Sequence, residues 1–519
     1  MTTSNIEDRL RHIRDSLTIG LVERDVAVRL ALIAALCGEH LLFVGPPGTA
    51  KSLIARRLRH AFANTSYFER LLTRFSVPEE LFGPLSIKGL EEDRYERLTK
   101  SYLPTASIAF LDEIFKANSA ILNALLTLLN EREFDNGDRR ERTPLTAVVG
   151  ASNELPEGEE LDALFDRFLL RLHVVPVSSG GFSELLRLRG FVEPDVDDEL
   201  KLTEGDLAVL QDRAEAVRVP DDVLTLLGDL REWCEAESTP VSDRRWRKIV
   251  KLLQTSALTN GRDTVSIWDC WLLQHCIWSE TGDREKIYRW YASRVGAASD
   301  EPSRLIHLTN ALEGQLKKDE EDKSQLRDEE GNLLYMGNDG KHTPSKKGQK
   351  YRNGQALFVA PEGARRNDHF QQSPRVDKTN KGEGYSEEEL DEMLVVTDQS
   401  RQQFRNWSGK TAYLKKASSW ITTELLPAIG PTRQKTAYVE HRLQEIRDHR
   451  KEVEHHEAGI EGQIESFERD IRSHLWVTED FVEPASEGLV RRLDEARRLL
   501  DRLAAVEKGY EALPREEEP

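Results

Sequence analysis

The sequence holds no apolar run approaching the ~20 residues that a membrane-spanning helix needs. Its most apolar early stretch, Ala27 to Cys37, is short and broken by Arg29. Charged residues make up 32% of the chain and the mean hydropathy is −0.57, values that exclude an integral membrane protein. The charged-then-apolar layout of a secretory signal is missing from the N-terminus. Cysteine is scarce. Cys37, Cys234, Cys270 and Cys276 are the four, and no two form a CxxC pair. A zinc site and a disulfide framework are therefore both unsupported, and a reducing cytoplasm is the expected setting. A basic surplus is missing too: 73 Lys and Arg stand against 92 Asp and Glu, a formal charge of −19. That balance, with no basic stretch interleaved with aromatics, argues against a nucleic-acid binder.

What is present is length and pattern. At 519 residues the chain is too long for one hydrophobic core. Residues 1–180 alternate apolar strands (40–44, 68–75, 108–111, 145–150, 169–175) with amphipathic helices, the pattern of an α/β domain with a parallel sheet covered on both faces. Two polar stretches, Leu85–Leu98 and Phe134–Thr143, read as hairpins, the second turning at Asn136-Gly137. Residues 181–310 read as helices, with apolar spacing such as Leu207/Leu210/Ala214 and Val223/Leu226/Leu227/Leu230. Trp233, Trp246, Trp268 and Trp271 suggest a second core there. Residues 317–384 turn polar and Gly-rich, and are expected to form a small β-rich or partly disordered insert, a candidate partner-binding domain. Residues 385–519 are expected to form a long helical hairpin. One column, Val439, Ile446, Val453, Ile460 and Phe467, repeats every seven residues; a second, from Leu443 to Ile471, is broken by Arg450 and Glu457.

Five segments carry chemistry. Gly45-Pro-Pro-Gly48-Thr49-Ala50-Lys51-Ser52-Leu53 follows a strand and opens a helix. That arrangement is a P-loop, in which backbone N–H groups cradle phosphates, Lys51 reaches the β/γ-phosphates and the Ser52 hydroxyl holds Mg²⁺. Ala50 stands where the pattern has a last glycine, which is tolerable if its φ is negative. Ile108-Ala-Phe-Leu-Asp112-Glu113 ends a strand in two carboxylates, Asp112 for Mg²⁺ and its water shell, Glu113 to polarise the attacking water. Asn153 ends a third strand with an amide that can position that water without adding charge. Arg167 follows as a candidate finger for a neighbouring subunit's γ-phosphate, with Arg171 as the fallback. Arg244 and Arg245 start a helix after the N-cap pair Ser242-Asp243, and either can close over the nucleotide. His455-His456 point about 100° apart on a helix and read as a solvated face rather than a metal site.

In this order the five segments resemble an AAA+ ATPase. The stretches Ile121–Phe134 and Ala151-Ser-Asn-Glu-Leu-Pro156 are similar to the MoxR group. Thr73–Leu85, Arg94-Tyr-Glu-Arg97 and Ser242–Trp246 resemble its RavA subgroup. The resemblance implies a P-loop AAA+ core over 1–180, a helical lid over 181–310, and pore-facing hairpins at 85–98 and 134–143. It implies that Asn153 is sensor 1, Arg167 the finger, and Arg244 or Arg245 sensor 2, with Val22 beside the adenine. It also implies ATP and Mg²⁺ as ligands, a hexameric ring acting as a chaperone-like remodeller, and a partner with a von Willebrand factor A domain. Residues 317–384 sit where RavA relatives carry their small domain but match it poorly, so the lysine decarboxylase partner of some relatives is not carried over. An ATP-bound switch or scaffold with little turnover, and a nucleic-acid motor, are the competing functions. The full set Glu113, Asn153 and Arg167 argues against the first, and the charge of −19 against the second.

Overall fold

The structure is a computed structural model and describes residues 3–190, 192–239, 241–280, 282–295, 303–365, 375–377, 383–393, 395–397, 403–404 and 409–516. The chain divides into two compact units, 1–300 with 457–495, and 301–456 with 496–519.

The first unit is built on strands β1 (Leu41–Val44), β2 (Tyr67–Leu71), β3 (Ile108–Asp112), β6 (Ala147–Ser152) and β7 (Leu170–His173), with a side hairpin of β4 (Glu133–Asn136) and β5 (Arg139–Arg142). The five main strands form one sheet in the order β2-β3-β6-β1-β7, every pair parallel. β1 and β6 are buried at every position, as a parallel sheet covered on both faces requires. The helix Asp25–Cys37 is buried continuously from Leu30 to Cys37, so it packs on all sides. It ends at Gly38 in the left-handed conformation, φ 70°, the usual helix stop.

The sheet is the one expected from the apolar runs, and the second polar stretch is a true hairpin, β4–β5, with Gly137 at φ 68° in its turn. The first is not. Residues 85–98 close with a single bridge, Leu85 to Arg97, around a short helix Ile87–Glu91. Ser86 explains the difference: its hydroxyl caps that helix by accepting from the Gly89 N–H at 3.1 Å.

Helices Glu204–Glu215, Asp221–Ala236, Asp243–Thr259 and Asp283–Val295 follow. Their apolar columns are buried as spaced, but they do not enclose a separate core. Trp268 and Trp271 belong to the same continuous cluster as the sheet residues Phe43 and Phe110. Residues 471–481 join that cluster. Leu475, Trp476 and Phe481 are fully buried, and the Trp476 indole donates to the Thr259 hydroxyl at 2.8 Å. His474 meets Asp269 at 3.1 Å, and Arg262 pairs with the same carboxylate at 2.8 Å.

In the second unit, short strands run from Lys323–Gln325 to Ile429–Pro431. The β-rich region therefore extends past 384 into residues expected to be helical. Lys323–Gln325 pairs antiparallel with Ile429–Pro431, and Lys347–Gln349 with Thr422–Glu424. Pro427, Gly430 and Pro431 are poor helix residues and keep continuous helix from starting before Thr436. Of the helices Thr436–Ser473 and Val482–Ala512, residues 436–456 and 496–512 belong to this unit and pack together as the two arms of the hairpin, with Val439, Ile446 and Val453 buried in the seam as the seven-residue repeat requires. Arg450, at a break in the seam, turns out to Glu454 at 3.0 Å and Glu507 at 3.4 Å. A third helix, Ser303–Glu321, packs against this part of the hairpin. Its Asp319 accepts from both Tyr438 and Tyr510. No helix among the described residues is long and apolar enough to cross a membrane.

Candidate functional site

Parallel strands with flush register deliver their carboxyl ends to one edge. Val44 of β1 lies opposite Ser152 of β6, and Leu71 of β2 opposite Asp112 of β3. The loops leaving β1, β3 and β6 therefore meet, which is where open α/β sheets bind ligands.

The loop after β1 is shaped by its glycines. Gly45, at φ 148°, donates its N–H to the Ser152 carbonyl at 2.9 Å. A Cβ there would stand 2.2 Å from the Val174 carbonyl oxygen, so only glycine fits. Gly48 has φ 78° with open space around it. Ala50 has φ 69°, so the negative φ that would make its methyl strain-free is not what this loop adopts. An L-residue held there carries about 1–2 kcal/mol of strain, and the Ala50 side chain is only half-buried. The Thr49 hydroxyl donates to the Pro46 carbonyl at 3.0 Å, and Ser52 and Leu53 lie half-buried in the first turn of the helix Lys51–Leu58.

Lys51 is buried. Its ammonium donates to the carbonyls of Gly45 at 2.5 Å and Pro46 at 2.9 Å, and to Asn153 Oδ1 at 3.3 Å. Burial lowers its pKa, opposed by the charges of Asp112 and Glu113. Asp112 accepts from the Glu113 N–H at 3.1 Å, and burial raises its pKa. Glu113 sits at φ 54°, a left-handed turn that swings its side chain back across the strand ends. There the Asn153 amide donates to Glu113 Oε1, and Lys116 pairs with Oε2 at 3.1 Å. One amide thus touches both the lysine and the carboxylate.

Val22 is buried, and the residues beside it are stapled to the loop. Glu23 accepts from the Ser178 N–H at 2.7 Å. Arg24 donates to the carbonyls of Thr49 at 3.0 Å and Val175 at 2.9 Å. Sequence reasoning passed over Arg24. It belongs to no spacing pattern, and its role comes only from the fold bringing β7 beside β1.

The candidate arginines form a second cluster. Arg245 is only 5% exposed and donates to the carbonyls of Cys276 at 2.5 Å and of Phe168 and Leu169 at 2.9 Å each. It also meets the Asp166 carboxylate at 3.2 Å. Arg244 reaches Asn130 at 2.6 Å. Arg167 lies 3.6 Å from Asp166. Burial, then the charge of Arg244, lowers its proton affinity. Arg171 is buried, stacked on the Phe165 ring and bonded to the Trp278 carbonyl at 2.7 Å. Among the described residues, none of these arginines bonds to Lys51, Asp112, Glu113 or Asn153.

Comparison with known proteins accords with this geometry. Residues 8–212 match the model described as the MoxR domain in the MoxR-vWA-beta-propeller ternary systems, and residues 222–291 match an AAA lid domain. Two uncharacterised proteins of Methanocaldococcus jannaschii are similar. One is 42% identical over 54% of this chain and 73% of its own length. The other is 43% identical over 54% and 74%. The chaperone MoxR1 of Mycobacterium tuberculosis is 27% identical over 47% of this chain and 68% of its own.

Proposed function

Because the chain belongs to the MoxR family of AAA+ ATPases, we propose that it hydrolyses ATP as a hexameric ring and uses the cycle to remodel or assemble protein complexes. The observation that supports this most is the Asn153 amide, which bonds Lys51 and Glu113 together. A lysine for phosphate charge, a carboxylate for water and an amide aligning the two make a hydrolytic set, which a passive nucleotide binder does not need.

In this reading the N–H groups of Gly48 to Ser52 and the Lys51 ammonium hold the phosphates. Lys51 leaves the Gly45 and Pro46 carbonyls for them, exchanging neutral acceptors for an anion. Glu113 accepts a proton from the water that attacks the γ-phosphorus, and Asn153 fixes the carboxylate's direction. The Ser52 hydroxyl and Asp112 carboxylate are hard oxygen donors suited to Mg²⁺, which when bound neutralises phosphate charge. Val22 flanks the base. Arg167 serves the next subunit's γ-phosphate, with Arg244, which lies near it, as the better placed of the two sensor 2 candidates, since Arg245 is committed to carbonyls.

The MoxR1 name supports chaperone-like work, and the description of the matching model supports a von Willebrand factor A domain partner. Thr73–Leu85 and Ser242–Trp246 support the finer placement in the RavA subgroup. A cytoplasmic setting fits the four free, buried cysteines. Asn153→Ala tests the reading. It should bind ATP as the parent does and release phosphate far more slowly. Parent-rate turnover would contradict the assigned hydrolytic set.

A further inference from the structure

Asp166 sits among guanidinium groups from two parts of the first unit. Oδ1 meets Arg245 Nη1 at 3.2 Å, and Oδ2 lies 3.6 Å from Arg167 Nη1. The Asp166 carbonyl accepts from the same Arg245 Nη1 at 3.1 Å. Arg245 is in the first turn of the helix Asp243–Thr259, whose start is fixed by the Ser242 hydroxyl accepting from the Arg245 N–H at 3.3 Å. Arg167 lies on the loop that leads to β7. Its Nε is buried with no hydrogen-bond partner among the described residues, and the Arg244 charge repels it. Asp166 offsets that repulsion. Arg167 is thus weakly held, and the group that holds it is also the group the lid helix grips.

We infer that Asp166 is a positioning residue that shares one carboxylate between the lid, through Arg245, and Arg167, so that movement of the lid helix changes how a subunit presents Arg167 to its neighbour's nucleotide. This rests on the reading of Arg167 as a residue supplied across a subunit boundary. Two features favour it over a plain structural staple. Arg245 is already secured by the carbonyls of Cys276, Phe168 and Leu169, so its hold on the core does not depend on the Asp166 charge. The Arg167 side chain, 20% exposed, has no comparable set of partners among the described residues.

The test is Asp166→Asn in the full chain, alone and mixed with Lys51→Ala subunits, with Arg167→Ala as the reference. Asp166→Asn keeps the shape and leaves the Arg245 carbonyl contacts in place, so it should fold and assemble. Its kcat should fall about tenfold to a hundredfold, less than the ~10³–10⁵ expected for losing a finger outright, with KM for ATP within about threefold. Mixing should recover turnover, because Asp166→Asn subunits keep an intact P-loop and Lys51→Ala subunits present an intact Arg167. Asp166→Glu, which keeps the charge, should restore most of the loss. The inference is overturned if Asp166→Asn turns over like the parent, if verified mixed rings show no recovery, or if Asp166→Glu is as slow as Asp166→Asn. If Arg167→Ala itself turns over like the parent, the underlying reading of Arg167 fails instead.

Discussion

Gly45 and Gly48 stand three residues apart in one loop, yet the structure assigns them different costs. At Gly45 the backbone has φ 148°, a region that side chains avoid, and an added Cβ would lie 2.2 Å from the Val174 carbonyl oxygen. The conformation alone costs about 1–3 kcal/mol, and relieving the overlap means moving either the loop or the end of β7, so about 3–4 kcal/mol or more is expected for Gly45→Ala. At Gly48, φ is 78° and nothing lies within 4 Å of the added methyl. There the left-handed conformation costs about 1–2 kcal/mol, and the stiffer unfolded chain returns about 0.4–1, leaving roughly 1 kcal/mol. Urea unfolding of the nucleotide-free variants, followed by tryptophan fluorescence, separates the two. Gly45→Ala should shift the midpoint far more than Gly48→Ala. Hydrogen exchange should also rise at the β7 end, where Val174 donates to the Val44 carbonyl at 2.8 Å. Equal midpoints, or a larger loss in Gly48→Ala, would refute the reasoning from the loop geometry.

Lys51→Ala should lose ATP affinity in a direct binding titration, because it removes the buried charge that the proposed function assigns to the phosphates; unchanged affinity would contradict the P-loop assignment. Arg167→Ala should be nearly inactive, and ATPase activity should rise faster than linearly with protein concentration; a linear dependence down to the subunit dissociation range would argue for a residue acting within its own subunit. Replacing 323–431 with a short Gly/Ser linker should leave the ATPase near the parent rate, as expected if this region serves recognition and not hydrolysis. The linker closes a small gap, because the Thr432 N–H donates to the Asp322 carbonyl at 3.0 Å. A loss of more than about tenfold, ~1.4 kcal/mol of transition-state stabilisation, would make that region part of the motor. Burial holds His40, His275 and His474 below the usual imidazole range, His275 down to about 3. The unfolded chain takes up those protons near pH 6.5 while the folded chain does not, so stability should fall as pH drops below that, by up to about 1.4 kcal/mol per pH unit per histidine. Identical urea midpoints at about pH 7.5 and about pH 5.5 would contradict this linkage.

The sheet was legible in the sequence because fully buried parallel strands leave short apolar runs, and because chemistry at strand ends is punctuated by polar residues such as Asp112 and Asn153. The loop after β1 was legible by its glycines, but the backbone sign at Ala50 was not, since an alanine carries no mark of a positive φ. Residues 85–98 escaped a correct reading because one serine cap outweighed a hairpin-like polar pattern. The lid helices were visible as apolar columns, whereas their merger with the sheet into one core depends on tertiary packing that periodicity does not encode. The β-rich region beyond 384 was missed because its strands are two or three residues long, too short to alternate. Arg24 carries no sequence signal, because it acts through the carbonyls of Thr49 and Val175, both distant in the chain. Asp166 stands beside Arg167 in the sequence, but the pairing of its carboxylate with Arg245 comes only from the fold.

The central claim is that the carboxylate bonded to Asn153 drives hydrolysis rather than binding. The most direct measurement is ATP binding and phosphate release in parallel for the purified parent and for Glu113→Gln, which keeps the shape and removes the base. Equal ATP affinity in both, steady phosphate release from the parent, and almost none from Glu113→Gln are the expected results. Parent-rate release from Glu113→Gln would contradict the role of Glu113, and a parent that binds ATP without releasing phosphate would make the chain a nucleotide-dependent switch instead.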